Sequence, residues 1–538
     1  MLAVAAAGAV QSLASFQPAA WPLPLLAIAL LAGLVARATP RQAAALGWVF
    51  GSAWLGAATW WLYISLHRYG GLPAPLAVLA VALLSGLLSI YLALGLAWVA
   101  RQHCGRPVID ASRFAAAWLA AELARGVWFT GFPWAATGYS QVDGPFAVLA
   151  PWIGVYATGA LVAWVAACVG MGLASVFAQR LARGAGGAVA RGQAGQAGQA
   201  GQAGRAWLAV LLGLAVLALP AAWQAVRGAP DFTQPSGSLR VALLQTNVAQ
   251  DEKFAAEHLP AALDWVAQAL LAAQADLVLA PETAVPLLPD QLAELAPGYW
   301  AALAAHFGRP GGPAALIGVP LGSYGEGYTN SVLGLSAAGS VAAAGAGAAP
   351  AYRYDKSHLV PFGEFIPTGF HWFTELMNIP LGDFNRGPVN APSFLVRGER
   401  VAPNICYEDL FGEALALRFA DAATAPTVLA NVGNIGWFGD TIAVPQHLQI
   451  SRQRSLELQR PMLRATNTGA TAVIDHRGVV TAALPAFTRG VLTATVQGRQ
   501  GLTPFARWSA AAGLWPLWAL AALGLAWPAR RAGRVGRR

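Results

Sequence analysis

Charge is scarce in this chain. Only 11% of its 538 residues are Asp, Glu, Lys or Arg, where a soluble globular protein carries about 25%. That shortage excludes an ordinary soluble enzyme and a disordered nucleic-acid-binding arm, and no nucleic-acid partner is expected. Lysine is scarcer still: among 34 Lys plus Arg, only Lys253 and Lys356 are lysines. The three cysteines, Cys104, Cys168 and Cys406, are odd in number and far apart. They give neither a disulfide framework nor a metal-ligand spacing, and no metal or cofactor is expected. No basic residue precedes Arg37, so the start does not read as a simple signal peptide, which opens on a positive segment.

Long apolar runs are plentiful. The chain is 56% hydrophobic, with a mean hydropathy of +0.50. A membrane-crossing helix needs about 20 apolar residues. Stretches of that kind lie near 3–18, 22–36, 44–66, 74–100, 114–130, 147–178, 206–224 and 508–528. They predict about eight transmembrane helices, the first interrupted by Gln11, Gln17 and Pro18. The net charge of +9 sits between these runs. Arg37 and Arg41, then Arg101, Arg106 and Arg113, then Arg180, Arg183, Arg191 and Arg205, and finally Arg530, Arg531, Arg534, Arg537 and Arg538 follow alternate spans. The intervening loops hold little more than Arg68. Positive loops face the cytoplasm, so both termini are expected there and the block before the last span on the other side. The Gly-Gln-Ala repeat at 192–204 reads as low-complexity linker.

Residues 238–497 differ in kind. Short runs such as "LRVALLQTNV", "ADLVLAPETAV", "AALIGVPLG", "YTNSVLGL", "RVAPNICYED", "PTVLANVGN" and "ATAVID" read as strands ending in polar residues. "AAEHLPAALDWVAQALLAAQ" and "PQHLQISRQRSLELQRP" carry helical periodicity. The alternation predicts an α/β domain of layered sheets. The expected plan is a membrane domain at 1–226, a catalytic domain at 238–497, a final helix at 506–530 and a basic tail at 530–538.

Several residues in that block are suited to chemistry. In a chain that uses Arg for almost every cation, a retained Lys supplies a compact point charge. Lys356 lies with His358 and Glu364 among turn-forming residues in "YRYDKSHLVPFGEFIP"; Lys253 fits chance equally well. Cys406 stands where a strand meets a helix, a place where the helix dipole lowers a thiol pKa. Glu282 follows an apolar strand in "LVLAPETAV". Taken singly, each also fits a structural role: a buried small hydrophobe for the thiol, a cap or surface charge for Glu282 and Glu364. Together a thiolate, a carboxylate base and an ammonium form a covalent-catalysis set.

"APET" at 280–283, "YDKSHLVPFGEFIP" at 354–367 and "NICYEDLF" at 404–411 resemble the carbon–nitrogen hydrolase, or nitrilase, superfamily. "ELARGVWFTGFPWAATGYSQ" at 122–141, "WFGDTIAVPQHLQISRQRSLELQRPMLRATNTGATAVID" at 437–475 and the run of spans are similar to the apolipoprotein N-acyltransferase family within it. The resemblance implies a helical membrane bundle joined to an αββα sandwich, with Glu282 as general base, Lys356 as oxyanion stabiliser and Cys406 as nucleophile. It places Glu364, Tyr407 and Glu408 on positions needed for activity, with the Tyr407 backbone N–H as a further oxyanion donor. Phe254 and Trp437 fall on supporting positions. Phe254 stands where the family often has Trp, and Asn434-Ile435-Gly436 where many members have Asn-Asp before "WFG".

The implied reaction moves an acyl chain from a phospholipid, with phosphatidylethanolamine expected, through a thioester to the amine of a diacylated prolipoprotein. The expected place is a bacterial inner membrane, with the catalytic domain periplasmic. A membrane-tethered amidohydrolase would share the triad but not need so many spans. A non-catalytic lipid-binding or transport protein would leave the triad unexplained. In the segment 365–384 the apolar residues alternate with Pro and Gly, which predicts a lipid-contacting lid carrying Trp372 and Phe373.

Overall fold

Alternation along β1 sets the layers of the α/β domain. In this strand, Thr233–Gln245, Leu239, Val241 and Leu243 point into one apolar core, while Ala242 and Leu244 point into another. The same split recurs in β2 (Leu277–Leu279), β7 (Glu399–Ile405) and β8 (Val428–Gly433). Side chains alternate faces with period two, so strands apolar on both faces must be covered on both. The computed structural model describes residues 1–184, 193–337, 352–367 and 384–527.

The remaining strands are β3 (Ala314–Ser323), β4 (Gly327–Leu335), β5 (Tyr352–Asp355), β6 (Phe394–Val396), β9 (Met462–Thr466), β10 (Ala472–Ile474), β11 (Val480–Ala483) and β12 (Gly490–Gly501). They form two six-stranded sheets, ordered β12-β1-β2-β3-β4-β5 and β11-β10-β9-β8-β7-β6. One core lies between the sheets, joining Leu243, Leu279 and Leu316 to Val401, Ile405, Val432 and Leu463. The first sheet's outer face carries the helices Leu259–Ala272 and Tyr299–Phe307. The second carries Ala443–Leu458 and Pro504–Ala512. The order is helix, sheet, sheet, helix, the αββα sandwich expected from the resemblance.

By contacts the chain divides into two units. One holds 1–60, 78–230 and the residues from Leu514 on; the other holds 61–77 and 231–513. Residues 61–77 thus group with the α/β domain although the expected span 44–66 runs into them. The helix of that span, Pro40–Thr59, stops before them. The physical reason lies in Trp61, which is buried at 1% exposure. Its indole donates to Gln446 Oε1 at 3.0 Å and its ring packs on Phe438 at 4.2 Å.

Among the described residues four stretches are long and apolar enough to cross a membrane: Pro18–Val35, Ala74–Arg101, Pro145–Leu181 and Gly201–Arg227. A fifth arises only if Pro504–Ala512 and Trp515–Ala526 count as one broken span. This is fewer than the expected eight. Leu2–Gln11 has 10 residues, too short to cross. Pro40–Thr59 opens on Arg41 and Gln42 and is rich in Gly. Pro107–Val127 contains Asp110, Arg113, Glu122 and Arg125. The expected final helix 506–530 is interrupted at Gly513, whose φ is +54, and the basic tail lies outside the described residues. The helix Gln193–Arg227 takes in the repeat read as linker, because Ala and Gln both favour helix.

Large apolar side chains such as Leu83, Leu87, Leu94, Leu208 and Leu211 are exposed on these helices, the outward apolar face of a protein solvated by lipid. Small residues bring the helices close: a Cβ on Gly51 would stand 2.7 Å from Ser89 Oγ. Glu122 and Arg125 approach to 3.5 Å. Glu122 Oε1 also accepts from the Thr137 N–H at 2.7 Å and hydroxyl at 2.8 Å, so the pair's carboxylate ties this helix to the 3₁₀ turn Thr137–Gln141. Trp134, of a residue type that often anchors at the membrane interface, is buried at 4% exposure.

Candidate active site

Three chain segments leave strand ends and converge. After β2 the backbone turns through Pro281 and Glu282, with Thr283 at φ +51. This turn lies against β3 because position 318 is glycine: a Cβ there would meet Pro281 O at 2.2 Å and Glu282 Cα at 2.7 Å. Lys356 follows β5, and its backbone N–H donates to Asn330 O at 2.8 Å. Cys406 follows β7, which runs parallel to β8 in register Ile405↔Val432.

The carboxylates and the lysine form one buried cluster. Lys356 Nζ lies 3.1 Å from Glu282 Oε1 and 2.8 Å from Glu364 Oε1. Asn330 Nδ2 donates to the same two oxygens at 2.7 Å each. Glu282 Oε2 accepts from the Asn434 N–H at 2.8 Å, and Glu364 Oε2 from the Val360 N–H at 2.8 Å. Burial opposes ionisation of Glu282, but Lys356, Asn330 and Lys253 outweigh it and hold the pKa below the usual carboxylate value. Burial also opposes the Lys356 ammonium, and the carboxylates of Glu282 and Glu364 outweigh that and raise its pKa. The result is an ionised base beside a firmly charged ammonium.

Cys406 has φ +50, a left-handed conformation that costs a non-glycine residue roughly 1–2 kcal/mol. The turn lifts the side chain off the strand end and leaves it partly exposed. Its pKa moves opposite to the expected direction. Burial, then the negative charge of Glu282, raise it; Lys356 and the Asn434 N–H lower it by less. The helix that was to supply a dipole is a five-residue 3₁₀ turn, Cys406–Leu410, too short to outweigh burial. The resting sulfur therefore favours its thiol form, in the field of an ionised carboxylate.

Glu408 explains how the Cys406 and Lys356 segments stay in register. Its Oε1 accepts from the Ser357 N–H and hydroxyl, each at 2.7 Å, and from the His358 N–H at 3.1 Å. Its Oε2 accepts from Tyr354 Oη and the Ile405 N–H, each at 2.7 Å. One buried carboxylate thus clamps the residues flanking Lys356 to the strand that delivers Cys406. Tyr407 is buried, its ring edge-on to Phe411 at 5.3 Å. Phe254 is half-buried, beside the buried Lys253. Trp437 is half-buried with its edge on Tyr69 at 5.7 Å. Trp372 and Phe373 lie outside the described residues.

The sequence reading missed part of this site. Asn330, which bridges both carboxylates, had no signal beyond a polar residue inside a strand. Asn434 sits in the segment where this chain departs from the family pattern. Its side chain also donates to Gln250 Oε1 at 2.9 Å and accepts from Asn467 Nδ2 at 3.0 Å. The departing Ile435 is buried. Lys253, which chance fitted equally well, belongs to the cluster: its Nζ donates to Glu282 O at 3.0 Å.

Burial lowers the Lys253 pKa to about 8, against the opposing pull of Glu282 and Cys406. Its ordinary value is about 10.4. Between those values the unfolded chain holds a proton that the folded chain has released, so this group makes stability rise with pH across the window. The thermal midpoint of the wild type, relative to Lys253→Met, should climb from pH 7 to pH 9.5. Parallel curves would show that Lys253 does not titrate there. Among the described residues no three His, Cys, Asp or Glu side chains gather as a metal site.

Residues 7–168 match the apolipoprotein N-acyltransferase N-terminal domain, and residues 240–504 match the carbon–nitrogen hydrolase family. The chain is 49% identical over 512 residues to an apolipoprotein N-acyltransferase of Verminephrobacter eiseniae, covering 92% of this chain and 89% of that one. It is 45% identical over 493 residues to one of Ralstonia nicotianae, covering 90% and 86%. With relatives this similar along nearly its whole length, the chain belongs to the apolipoprotein N-acyltransferase family.

Proposed function

We propose that this chain transfers an acyl chain from a membrane phospholipid to the N-terminal amine of a diacylglyceryl-cysteine lipoprotein, through a thioester on Cys406. The observation that carries the reading is the Glu282–Lys356 pair, 3.1 Å apart, beside a cysteine whose thiol form is favoured until a base acts. In the first step Glu282 takes the thiol proton and Sγ attacks the ester carbonyl. The oxyanion that forms faces Lys356 Nζ and the Tyr407 N–H. Collapse breaks the ester C–O bond, and Glu282 returns the proton to the glycerol oxygen, which leaves as lysophospholipid. In the second step the lipoprotein amine attacks the thioester, Glu282 takes its proton, the amide forms and the thiol is restored.

Lipid substrates suit a catalytic domain joined to apolar helices. The proposed acyl donor is phosphatidylethanolamine and the proposed location a bacterial inner membrane. The α/β domain lies on the periplasmic side, in keeping with arginines concentrated in the loops of the other side. The two long helices Pro40–Thr59 and Pro107–Val127 complete the bundle, with Asp110–Arg113 and Glu122–Arg125 of the second paired inside it. Trp372 and Phe373 serve as lipid-contacting lid residues, and Phe254 and Trp437 serve as supporting substrate contacts.

Right-side-out membrane vesicles containing the protein, given labelled phosphatidylethanolamine and a diacylated lipopeptide from outside, test the reading. The expected products are N-acylated lipopeptide and lysophospholipid in equal amounts. Free fatty acid in place of the amide would make the chain a hydrolase. No turnover would make it a binding protein. Product only from inverted vesicles would reverse the orientation.

A further inference from the structure

Behind the nucleophile lies a buried polar network that the triad chemistry does not use. His447, on the helix Ala443–Leu458, and Arg464, on β9, are both fully buried, as are Asp409 and Ser451. His447 Nε2 lies 2.9 Å from Asp409 Oδ1 and 3.2 Å from the carbonyl oxygen of Cys406. Arg464 Nη2 lies 3.0 Å from His447 Nδ1, and Arg464 Nη1 is 3.2 Å from Asp409 Oδ2. Ser451 Oγ bonds both Asp409 Oδ2 and Arg464 Nη1.

The chemistry of the partners fixes the imidazole. A guanidinium has no acceptor, so Nδ1 must receive its hydrogen bond and the ring proton sits on Nε2. That proton is shared between the Asp409 carboxylate and the Cys406 carbonyl. Asn431 Nδ2 donates to the same carbonyl at 3.2 Å. Two donors on two different elements therefore hold one peptide oxygen. The peptide between Cys406 and Tyr407 is planar and trans, so fixing its C=O also fixes the opposite direction of the Tyr407 N–H. The Cys406 backbone needs this hold, because its φ of +50 is not a conformation it would keep unaided.

We propose that His447, set in one tautomer by Asp409 and Arg464, is a positioning residue for the oxyanion hole. By gripping the Cys406 carbonyl from behind, it aims the Tyr407 N–H at the site of charge development and keeps the strained nucleophile turn in place. His447 touches neither substrate nor the reacting sulfur; it acts through the peptide that carries both. This rests on Cys406 as nucleophile. That reading fails separately, if Cys406→Ala still forms an acyl-enzyme.

The test compares His447→Gln with His447→Asn. A glutamine amide nitrogen reaches the place of Nε2, and an asparagine amide nitrogen reaches only that of Nδ1. Reconstituted in phosphatidylethanolamine vesicles and normalised to folded enzyme, His447→Asn should lose about 10–100-fold in kcat, since small misplacements near the chemistry cost that much. Its KM for lipid should stay within twofold. His447→Gln should recover to within about threefold of wild type, the analogue of restoring an oxyanion donor. In the acyl-enzyme, the infrared stretch of an isotope-labelled thioester carbonyl should move to higher frequency in His447→Asn and return in His447→Gln. A role in packing alone predicts equal loss in both variants and an unmoved carbonyl band. That result, or a His447→Gln protein that does not fold, overturns the proposal.

Discussion

Replacing Cys406 by alanine should leave no acyl-enzyme and no transfer. Labelled phospholipid incubated with the wild type should yield a protein-bound acyl group that neutral hydroxylamine releases, the signature of a thioester. Cys406→Ala should show none, and the loss of transfer should be on the order of 10⁴–10⁶-fold, the scale seen when a triad nucleophile is removed. Cys406→Ser is the sharper variant. Its hydroxyl keeps the volume and the carboxylate base, but an alcohol is a weaker nucleophile than a thiol under the same base. Any acyl group it accepts should resist neutral hydroxylamine, because the bond is an oxygen ester. The raised pKa of the resting thiol adds a second expectation. Glu282→Gln removes the charge that helps raise the thiol pKa, but it also removes the proton acceptor, so it should also fail to acylate. Labelled lipid attached to the Cys406→Ala protein would show that the nucleophile lies elsewhere.

What the sequence displayed depended on whether a signal was local. The strands that bring Glu282 and Cys406 to the site are short apolar runs ended by polar residues, and that local run reveals them. The helix Leu259–Ala272 is visible through its 3.6-residue period. β5, β6, β9 and β11 are three to five residues long, too short to carry a pattern, and β12 alternates exposed with half-buried positions. They form because neighbours already in place offer unpaired edges. Four or five stretches meet the length and apolarity of a span among the described residues, against about eight expected, because hydropathy counts residues without asking where a helix stops: Pro40–Thr59 ends before the buried Trp61, which bonds Gln446. The site divides the same way. Glu282, Lys356 and Cys406 stand out through their residue type at a strand end. Asn330, Asn434 and His447 act through the partners that folding gives them, and nothing in their flanking residues names those partners. The direction of the Cys406 shift was misread because a dipole argument needs a helix of several turns, and the chain provides one short turn and a nearby carboxylate.

Lys356→Arg should fail nearly as badly as Lys356→Met, although it keeps the charge. The Lys356 side chain is 1% exposed and its Nζ lies within 3.1 Å of both Glu282 and Glu364. A guanidinium is planar, broader and longer. In this enclosed space it must either displace the two carboxylates or turn away from the oxyanion. The expected loss is about 10³-fold in kcat for both variants, the scale of a lost oxyanion donor, with arginine no more than about tenfold better than methionine. The two should differ in pH dependence. With the ammonium gone in Lys356→Met, Glu282 and Glu364 face each other across Asn330 Nδ2, which donates to both at 2.7 Å. The largest influence holding Glu282 ionised against its burial is then lost. The acidic limb of its residual activity should therefore move to higher pH, since the base stays protonated until later. In Lys356→Arg a cation remains near the pair and that limb should move less. Assaying single-turnover acylation from pH 5 to pH 9 separates the two effects: the plateau reports on the geometry of the charge, and the limb reports on its presence. Full activity in Lys356→Arg would mean that a diffuse positive charge is enough, and that Lys356 does not place a point charge at the oxyanion.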